Sequence, residues 1–470
     1  MHRSKLIRSS GFGHDLVLRI IKIINLLAMT AVFAYFWMEY YGPNLYTNEF
    51  YRRGNWVVIA LFAFFYYRFG RTYDVFHISY DRVSEMIYSH GLALVMSDFI
   101  MFIIIWLLTR RFPPVWPILA TLGIQMVIAL LWCIVAKKWY FHRFYAKKSL
   151  IIYDMREGME NIISEYGMNK KFDVRGTYHT QEILNNLSLL EDCEVVFLCG
   201  VHSHDRNTIV KQCIEKDISA YVIPRIGDVI MSSAREMHMF HLPVLRLDRY
   251  KPTPEFRIGK RLFDLILSGL FIIIFSPIML VVALLVKKDG GPAFYKQVRL
   301  TQDGKEFKVL KFRSMRVDAE KDGVARLSTG DNDDRITPVG KIIRKVRLDE
   351  LPQIINIFKG DMSFVGPRPE RPEIAKQYEE ELPEFRLRLQ AKAGLTGLAQ
   401  VYGKYNTTPY DKLMMDLMYI AHPGFIQDLR IIFATIKILF LPESTEGVAA
   451  GQTTAMGNET KPIGNRNDEA

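Results

Sequence analysis

Two adjacent acids, Asp349 and Glu350, stand in a basic neighbourhood. Lys341, Arg344, Lys345 and Arg347 precede them, in a chain of net charge +11. Adjacent carboxylates near cations can hold Mg2+, which neutralises charge on a diphosphate. One of the two can also attack phosphorus, because carboxylates form aspartyl phosphates. A simpler account exists. Leu351, Ile354, Ile355 and Phe358 fall at i, i+3, i+4 and i+7, an apolar helical stripe. Pro352 suits the first turn of that helix and Gly360 its end. Acids at a helix start complement its dipole, by about 0.3–1 kcal/mol. The dipole explains neither the surrounding cations nor the irregular "FVGPRP" that follows.

Two further groups of cations could meet phosphate. In "GPRP", prolines fix the backbone on both sides of Arg368 and preorganise its guanidinium. A rigid loop with a salt bridge is the plain alternative. Upstream, "AFYKQVRLTQDGKEFKVLKFRSM" reads as a hairpin turning at Asp303-Gly304. Lys311 and Arg313 occupy alternate positions at its end, so both face one side, as a phosphate grip or a solvated face.

These residues need a platform. Leu262 to Val286 is an apolar run of about 25 residues, roughly 37 Å as a helix, long enough to cross a bilayer. Both flanks are basic, Lys260 and Arg261 before, Lys287 and Lys288 after. Flanks of one sign place both ends on the cytoplasmic side. Ser276-Pro277 lies near the middle, where proline removes a backbone donor and bends a helix. The pattern favours a segment that enters one leaflet and returns, over a kinked spanning helix.

Four more apolar runs, at 18–38, 55–69, 91–109 and 115–136, predict membrane helices within 1–146, the second being short. Their flanking Lys and Arg put residues after Ala136 on the cytoplasmic side. The start of the chain is basic without a cleavable-signal pattern and reads as an anchor. Between 147 and 248, "SLIIYD", "VRGTYH", "CEVVFLCG", "SAYVIP" and "LPVLRLD" read as strands of a small parallel α/β sheet. It lacks G-x-G-x-x-G, so no dinucleotide cradle is expected. A proline-bearing linker follows at 249–258. The helix "FIQDLRIIFATIKILF" is too charged to span and suits the interface. The tail, 442–470, has a disordered composition. Four cysteines without a CxxC pair read as buried thiols. The positive charge borders apolar runs, which favours a membrane over nucleic acid as its partner.

Together "KRLFDLILSGLFIIIFSPIML", "KFRSM", "RLDELPQIINIFKGDMSFVGPRP" and "GLTGLAQV" resemble the bacterial sugar transferases that act on polyprenyl phosphate, the monotopic phosphoglycosyl transferases. The likeness covers about 256–441, and the segments before it resemble the longer members. It implies a membrane protein with a four-helix transmembrane bundle, a degenerate Rossmann-like α/β domain, and a C-terminal α+β catalytic domain (259–441) with a re-entrant helix. It implies Asp349 as nucleophile and Glu350 as its partner in placing Mg2+, with Ser276 and Pro277 as the helix break. Lys260, Lys311, Arg313, Arg335, Arg368 and Asp416 are implied phosphate or substrate contacts. The implied partners are a UDP-sugar, undecaprenyl phosphate and membrane lipid, with no nucleic acid and homo-oligomerisation open. The implied place is the bacterial cytoplasmic membrane, and the implied reaction opens exopolysaccharide or capsule synthesis. An inactive scaffold, a polysaccharide exporter and a glycosyl transferase that moves sugar without phosphate are the rivals. Many members have proline and tryptophan in "KPGITGWAQ", where this chain has Ala393 and Leu398.

Overall fold

A computed structural model of the chain describes residues 12–45, 53–154, 157–239, 241–250, 252–288, 290–317, 335–403 and 407–439. The expected tail at 442–470 lies outside them. The chain divides into two compact units at Ile223/Pro224.

The first unit begins with four helices, α1 (Phe12–Phe36), α2 (Arg53–Thr72), α3 (Val83–Thr109) and α4 (Trp116–Arg143). Met86, Cys133, Ala136 and Tyr140 form a buried seam between α3 and α4, with Leu18 and Ile21 of α1 against it. Segments containing α1, α3 and α4 are long and apolar enough to cross a membrane. The second expected run does form helix α2. Arg53, Asn55, Arg68 and Arg71 within it keep it out of that set.

A four-stranded parallel sheet follows, of β1 (Lys147–Tyr153), β2 (Phe172–His179), β3 (Val195–Cys199) and β4 (Ser219–Val222), in the order β2-β1-β3-β4. Helices α5 (Met159–Glu165), α6 (Thr180–Asn185) and α7 (Ser203–Glu215) connect the strands. Strand alternation sends Leu150, Ile152, Val196 and Leu198 to one face, against α6 and α7. It sends Ile151, Val195 and Phe197 to the other, against α5. All four cysteines are buried thiols, none in a disulfide.

The fifth expected strand does not join this sheet. "LPVLR" is β6 (Leu242–Arg246), paired antiparallel with β5 (Arg235–Met239) behind the short α8 (Ile226–Ser232) in the second unit. Pro243 has no N–H to give to a ladder, which suits β6 to an edge position, here in a two-stranded ribbon. The parallel sheet therefore ends at Val222 rather than near 248.

The second unit is built along α9 (Pro254–Lys287). Thr253 caps it, its hydroxyl accepting from Phe256 N, and Pro254 takes the first turn. The helix continues through Pro277, so the expected break at Ser276-Pro277 does not interrupt it, and Ser276 Oγ donates to Ile273 O at 2.9 Å. Near the start, the Asp264 carboxylate accepts from Phe364 N, and Phe263, Leu267 and Phe271 join the main core. Near the end, Val282 and Val286 pack with Phe312 and Ile343. The middle is bare: Ile273 is 73 % exposed, and Ile274, Ile278, Leu280 and Val281 are also exposed.

The hairpin of β7 (Phe294–Leu300) and β8 (Glu306–Phe312) turns at Asp303-Gly304, both at positive φ. Beyond it lie α10 (Pro338–Lys345) and α11 (Gln353–Lys359), then β9 (Ser363–Val365), α12 (Pro372–Glu381) and β10 (Gly394–Thr396). Three helices close the unit, α13 (Leu398–Tyr402), α14 (Pro409–Ala421) and α15 (Phe425–Leu439). β9 and β10 pair in parallel. In this pair Gly366 and Gly394 approach so closely that a methyl on Gly394 would strike the Gly366 backbone.

Candidate active site

The acids lie in a tight turn, Leu348–Glu350, just ahead of α11. Arg347 enters that turn at φ 54, left-handed backbone that non-glycine residues rarely adopt. Pro352 caps α11, and Gly360 ends it at φ 99. The buried face of α11 is Gln353, Ile354, Asn356 and Ile357, while Phe358 is largely exposed. The apolar stripe shares only Ile354 with this face, because α11 turns the polar Asn356 as well as Ile357 inward, toward β8 and the core. Asn356 Nδ2 donates to Lys308 O, and its Oδ1 accepts from Leu310 N, each at 2.9 Å. From the α9 side, Arg261 donates at 2.8 Å to the carbonyls of Ile357 and Phe358. These clamps set the strand bearing Lys311 against the turn bearing the acids.

Glu350 Oε1 accepts from Lys311 Nζ and from an Arg368 Nη, both at 2.9 Å. Burial would raise the Glu350 carboxyl, but Lys311 and Arg368 outweigh it and hold it well below the usual range. Asp349 moves the other way. Burial, then the Glu350 charge, push it up to about 6 against the pull of Lys311 and Arg344. Adjacent carboxylates are thus separated into a fixed anion and a more basic group, the pattern of paired groups with divided roles. An open depression beside them is lined by Arg299, Lys311, Gln353, Arg368, Gly394 and Leu395.

The structure brings Asp349, Glu350, Lys311 and Arg368 together and engages the other expected contacts elsewhere. Arg313 lies just past the end of β8 and turns back to the end of α9, donating to Val286 O and Pro292 O at 2.9 Å. Lys260 bonds Asp428 of α15 at 2.5 Å and Tyr419 of α14 at 3.2 Å. Asp416 is buried against Arg388 at 2.7 Å. The Arg335 carbonyl accepts from Arg316 N, in a bridge beside Met315 and Ile336. Residues that sequence reasoning missed include Arg299, Gln353, Asn356, Glu370 and Arg388. Glu370 sits among Lys412, Arg388 and Arg299. Burial alone would raise its carboxyl; Lys412 and Arg388 bring it down to about 2. "PRPE" places an acid next to the arginine turn, the one signal that could have pointed to it.

Among the described residues no group of three or more His, Cys, Asp or Glu gathers around a metal position. A magnesium ion, however, needs only one or two carboxylates when substrate phosphates complete its shell. Asp349 and Glu350 supply the right hard oxygen donors for that mode.

An apolar helix packed near its two ends, in one unit with an acid pair set among cations, makes a membrane-associated site suited to a phosphorylated substrate. The comparisons agree with it. The model of the bacterial sugar transferase family matches residues 255–442. A UDP-glucose:undecaprenyl-phosphate glucose-1-phosphate transferase of Escherichia coli K12 is 31% identical over 378 residues, 75% of this chain and 78% of the relative. A Klebsiella pneumoniae protein of the same name is 38% identical over 254 residues, 52% of this chain and 54% of the relative. A UDP-N-acetylgalactosamine-undecaprenyl-phosphate N-acetylgalactosaminephosphotransferase of Aeromonas hydrophila is 35% identical over 232 residues, 48% of this chain and 54% of the relative. The chain thus spans about half the length of the last two. It belongs to the bacterial sugar transferase family.

Proposed function

We propose that this protein transfers a hexose 1-phosphate from a UDP-sugar to undecaprenyl phosphate in two steps through Asp349. In the first, an Asp349 carboxylate oxygen bonds to the β-phosphorus of the UDP-sugar. The bond from that phosphorus to the bridging oxygen breaks, and UMP leaves with the electron pair. In the second, a phosphate oxygen of undecaprenyl phosphate attacks the same phosphorus. The Asp349–phosphorus bond breaks, the carboxylate is restored, and undecaprenyl-diphospho-sugar departs. The product would start an exopolysaccharide or capsule chain at the cytoplasmic face of the membrane.

The observation that carries this reading is the acid pair itself. Glu350 stays ionised and holds Lys311 and Arg368 in place. Lys311 and Arg368 balance the two acids, and Arg344 and Arg347 nearby add the positive excess for a diphosphate. Asp349, at about 6, is ionised at neutral pH yet more basic than an ordinary aspartate, which favours nucleophilic attack. Mg2+ held by Asp349 and Glu350 with the substrate phosphates would supply further charge neutralisation.

Re-entrance of α9 has its own support. One domain packs against both parts of the helix, at Asp264 and at Val282–Val286, and leaves the apolar middle bare. A crossing helix would carry one of those ends to the far side of the bilayer. Entry and return keep Asp349 where a lipid phosphate reaches it.

The test uses full-length protein, a UDP-sugar library, Mg2+ and no lipid acceptor. Intact mass should show a hexose-phosphate adduct with release of UMP, both absent in Asp349→Asn. Product formed only with lipid present, and never an adduct, would make the reaction a direct displacement. Release of UDP would make it a glycosyl transfer.

A further inference from the structure

We propose that the buried Arg388–Asp416 pair positions Arg368 against Glu350 by gripping the Arg368 carbonyl. Arg388 lies in the irregular turn 383–390 and Asp416 in α14; they are 2 % and 1 % exposed. Arg388 Nε and one Nη donate to Asp416 Oδ2 at 2.8 and 2.7 Å. The same Nη donates to Arg368 O at 2.9 Å, and the other stands 3.5 Å from Glu370. One guanidinium therefore connects the helix α14 to the backbone of the residue whose own guanidinium reaches Glu350.

A buried ion pair is weak evidence for stability, since desolvation offsets its attraction. Its geometric consequence is clearer. Prolines on both sides limit how Arg368 can rotate, but they do not fix where the turn sits. Neighbouring carbonyls are also held, Pro369 O by Arg299 at 3.2 Å and Glu370 O by Leu300 N at 3.0 Å. Arg388 adds the anchor on Arg368 itself. A lysine could keep the charge opposite Asp416 but has no planar fork to serve both the carboxylate and the carbonyl. Asp416 and Arg388 are positioning residues here; they touch no substrate.

The proposal rests on the phosphoryl-transfer reading of Asp349, and the experiment separates the two. Single-turnover adduct formation is measured by intact mass in Arg388→Lys, Arg368→Lys, the double variant and Asp349→Asn, each confirmed folded by thermal melting in detergent. A displaced catalytic group can cost about 10²-fold in rate. Arg388→Lys should lose up to that factor in the rate at saturating UDP-sugar. The double variant should then be no slower than Arg368→Lys alone, because both lesions remove the same contact. Additive losses, or a loss confined to KM, overturn the proposal. If Arg388→Lys does not fold, Asp416→Glu keeps both charges, moves the fork by one methylene and takes the same criterion. An adduct persisting in Asp349→Asn sinks the underlying reading, whatever the coupling shows.

Discussion

Replacing Lys311 by methionine should move the pH dependence of adduct formation in a calculable way. Lys311 Nζ is 2.9 Å from Glu350 Oε1 and also draws the Asp349 pKa down from where burial and Glu350 would put it. Hydrogen bonds to charged groups contribute about 1.5–3 kcal/mol where the contact is direct. Asp349 feels Lys311 through space, so about half of that, near 1.4 kcal/mol, is a reasonable share; it corresponds to about one pKa unit. In the proposed mechanism Asp349 attacks as the carboxylate, so raising its pKa removes the active form on the acid side. A shift from about 6 to ~7 leaves roughly an eighth of wild-type ionisation at pH 5.5, a third at pH 6.5 and nearly all at pH 8.5. Single-turnover rates at fixed Mg2+ across this range would show the acid limb displaced upward by about one pH unit. Any deficit persisting at pH 8.5 measures the lost phosphate contact separately. A loss of equal size at every pH would refute the electrostatic link between Lys311 and the nucleophile.

Three other perturbations test how the site is held. Asn356→Leu removes the amide that ties α11 to β8, leaving Leu310 N and Lys308 O to find other partners. It should cost about 2–3 kcal/mol, seen as a lower melting temperature, and slow adduct formation as Lys311 loosens. Gly394→Ala puts a methyl against the Gly366 backbone, which cannot recede because Gly366 N donates to Thr396 O and Gly394 N to Pro367 O. Overpacking of this kind costs about 1–3 kcal/mol, and an unchanged melting temperature would contradict the close approach. Arg257→Cys and Lys288→Cys bracket the apolar part of α9 at exposed positions, and the four native thiols are buried. Both should react with an impermeant maleimide from the cytoplasmic side only; labelling from opposite sides would mean that α9 crosses.

Elements set by local chemistry were readable in the sequence. The Asp303-Gly304 hairpin, the helix between Pro352 and Gly360, and four of the five expected strands all follow from turn residues and periodicity. What escaped was set by tertiary partners. Lys311 and Arg313 look equivalent by alternation, yet one meets Glu350 and the other closes the end of α9, because β8 ends between them. Asp416 stood as a substrate contact only through the resemblance; in the fold this buried acid has a side-chain partner. That partner, Arg388, lies 28 residues away in an irregular turn. Asn356 broke the apolar pattern of α11 for the same reason: the strand it faces offers backbone polar groups rather than side chains. Ala393 is a further case. Its N–H donates to Thr301 Oγ1 at 3.2 Å, a bond that a proline at this position would lack.

The division of labour between the two acids follows from the turn that carries them. Successive residues of a helical turn point roughly 100° apart, so neighbours in sequence cannot both face the same cations. Arg347, at φ 54, swings the chain into that turn, and Glu350 is the acid that comes to face β8 and Arg368. With two cations on one of its oxygens, Glu350 is too weakly basic to be an effective nucleophile and serves as a fixed counter-charge. Asp349 feels Lys311 and Arg344 only through space, while burial and the neighbouring carboxylate raise it. A single acid at this position could not do both. Paired directly with Lys311 and Arg368 it would lose basicity, and without them the diphosphate would have no positive field to enter. The adjacent pair separates these demands, and on the proposed mechanism that is what two acids together at the start of a short helix provide in a chain rich in cations.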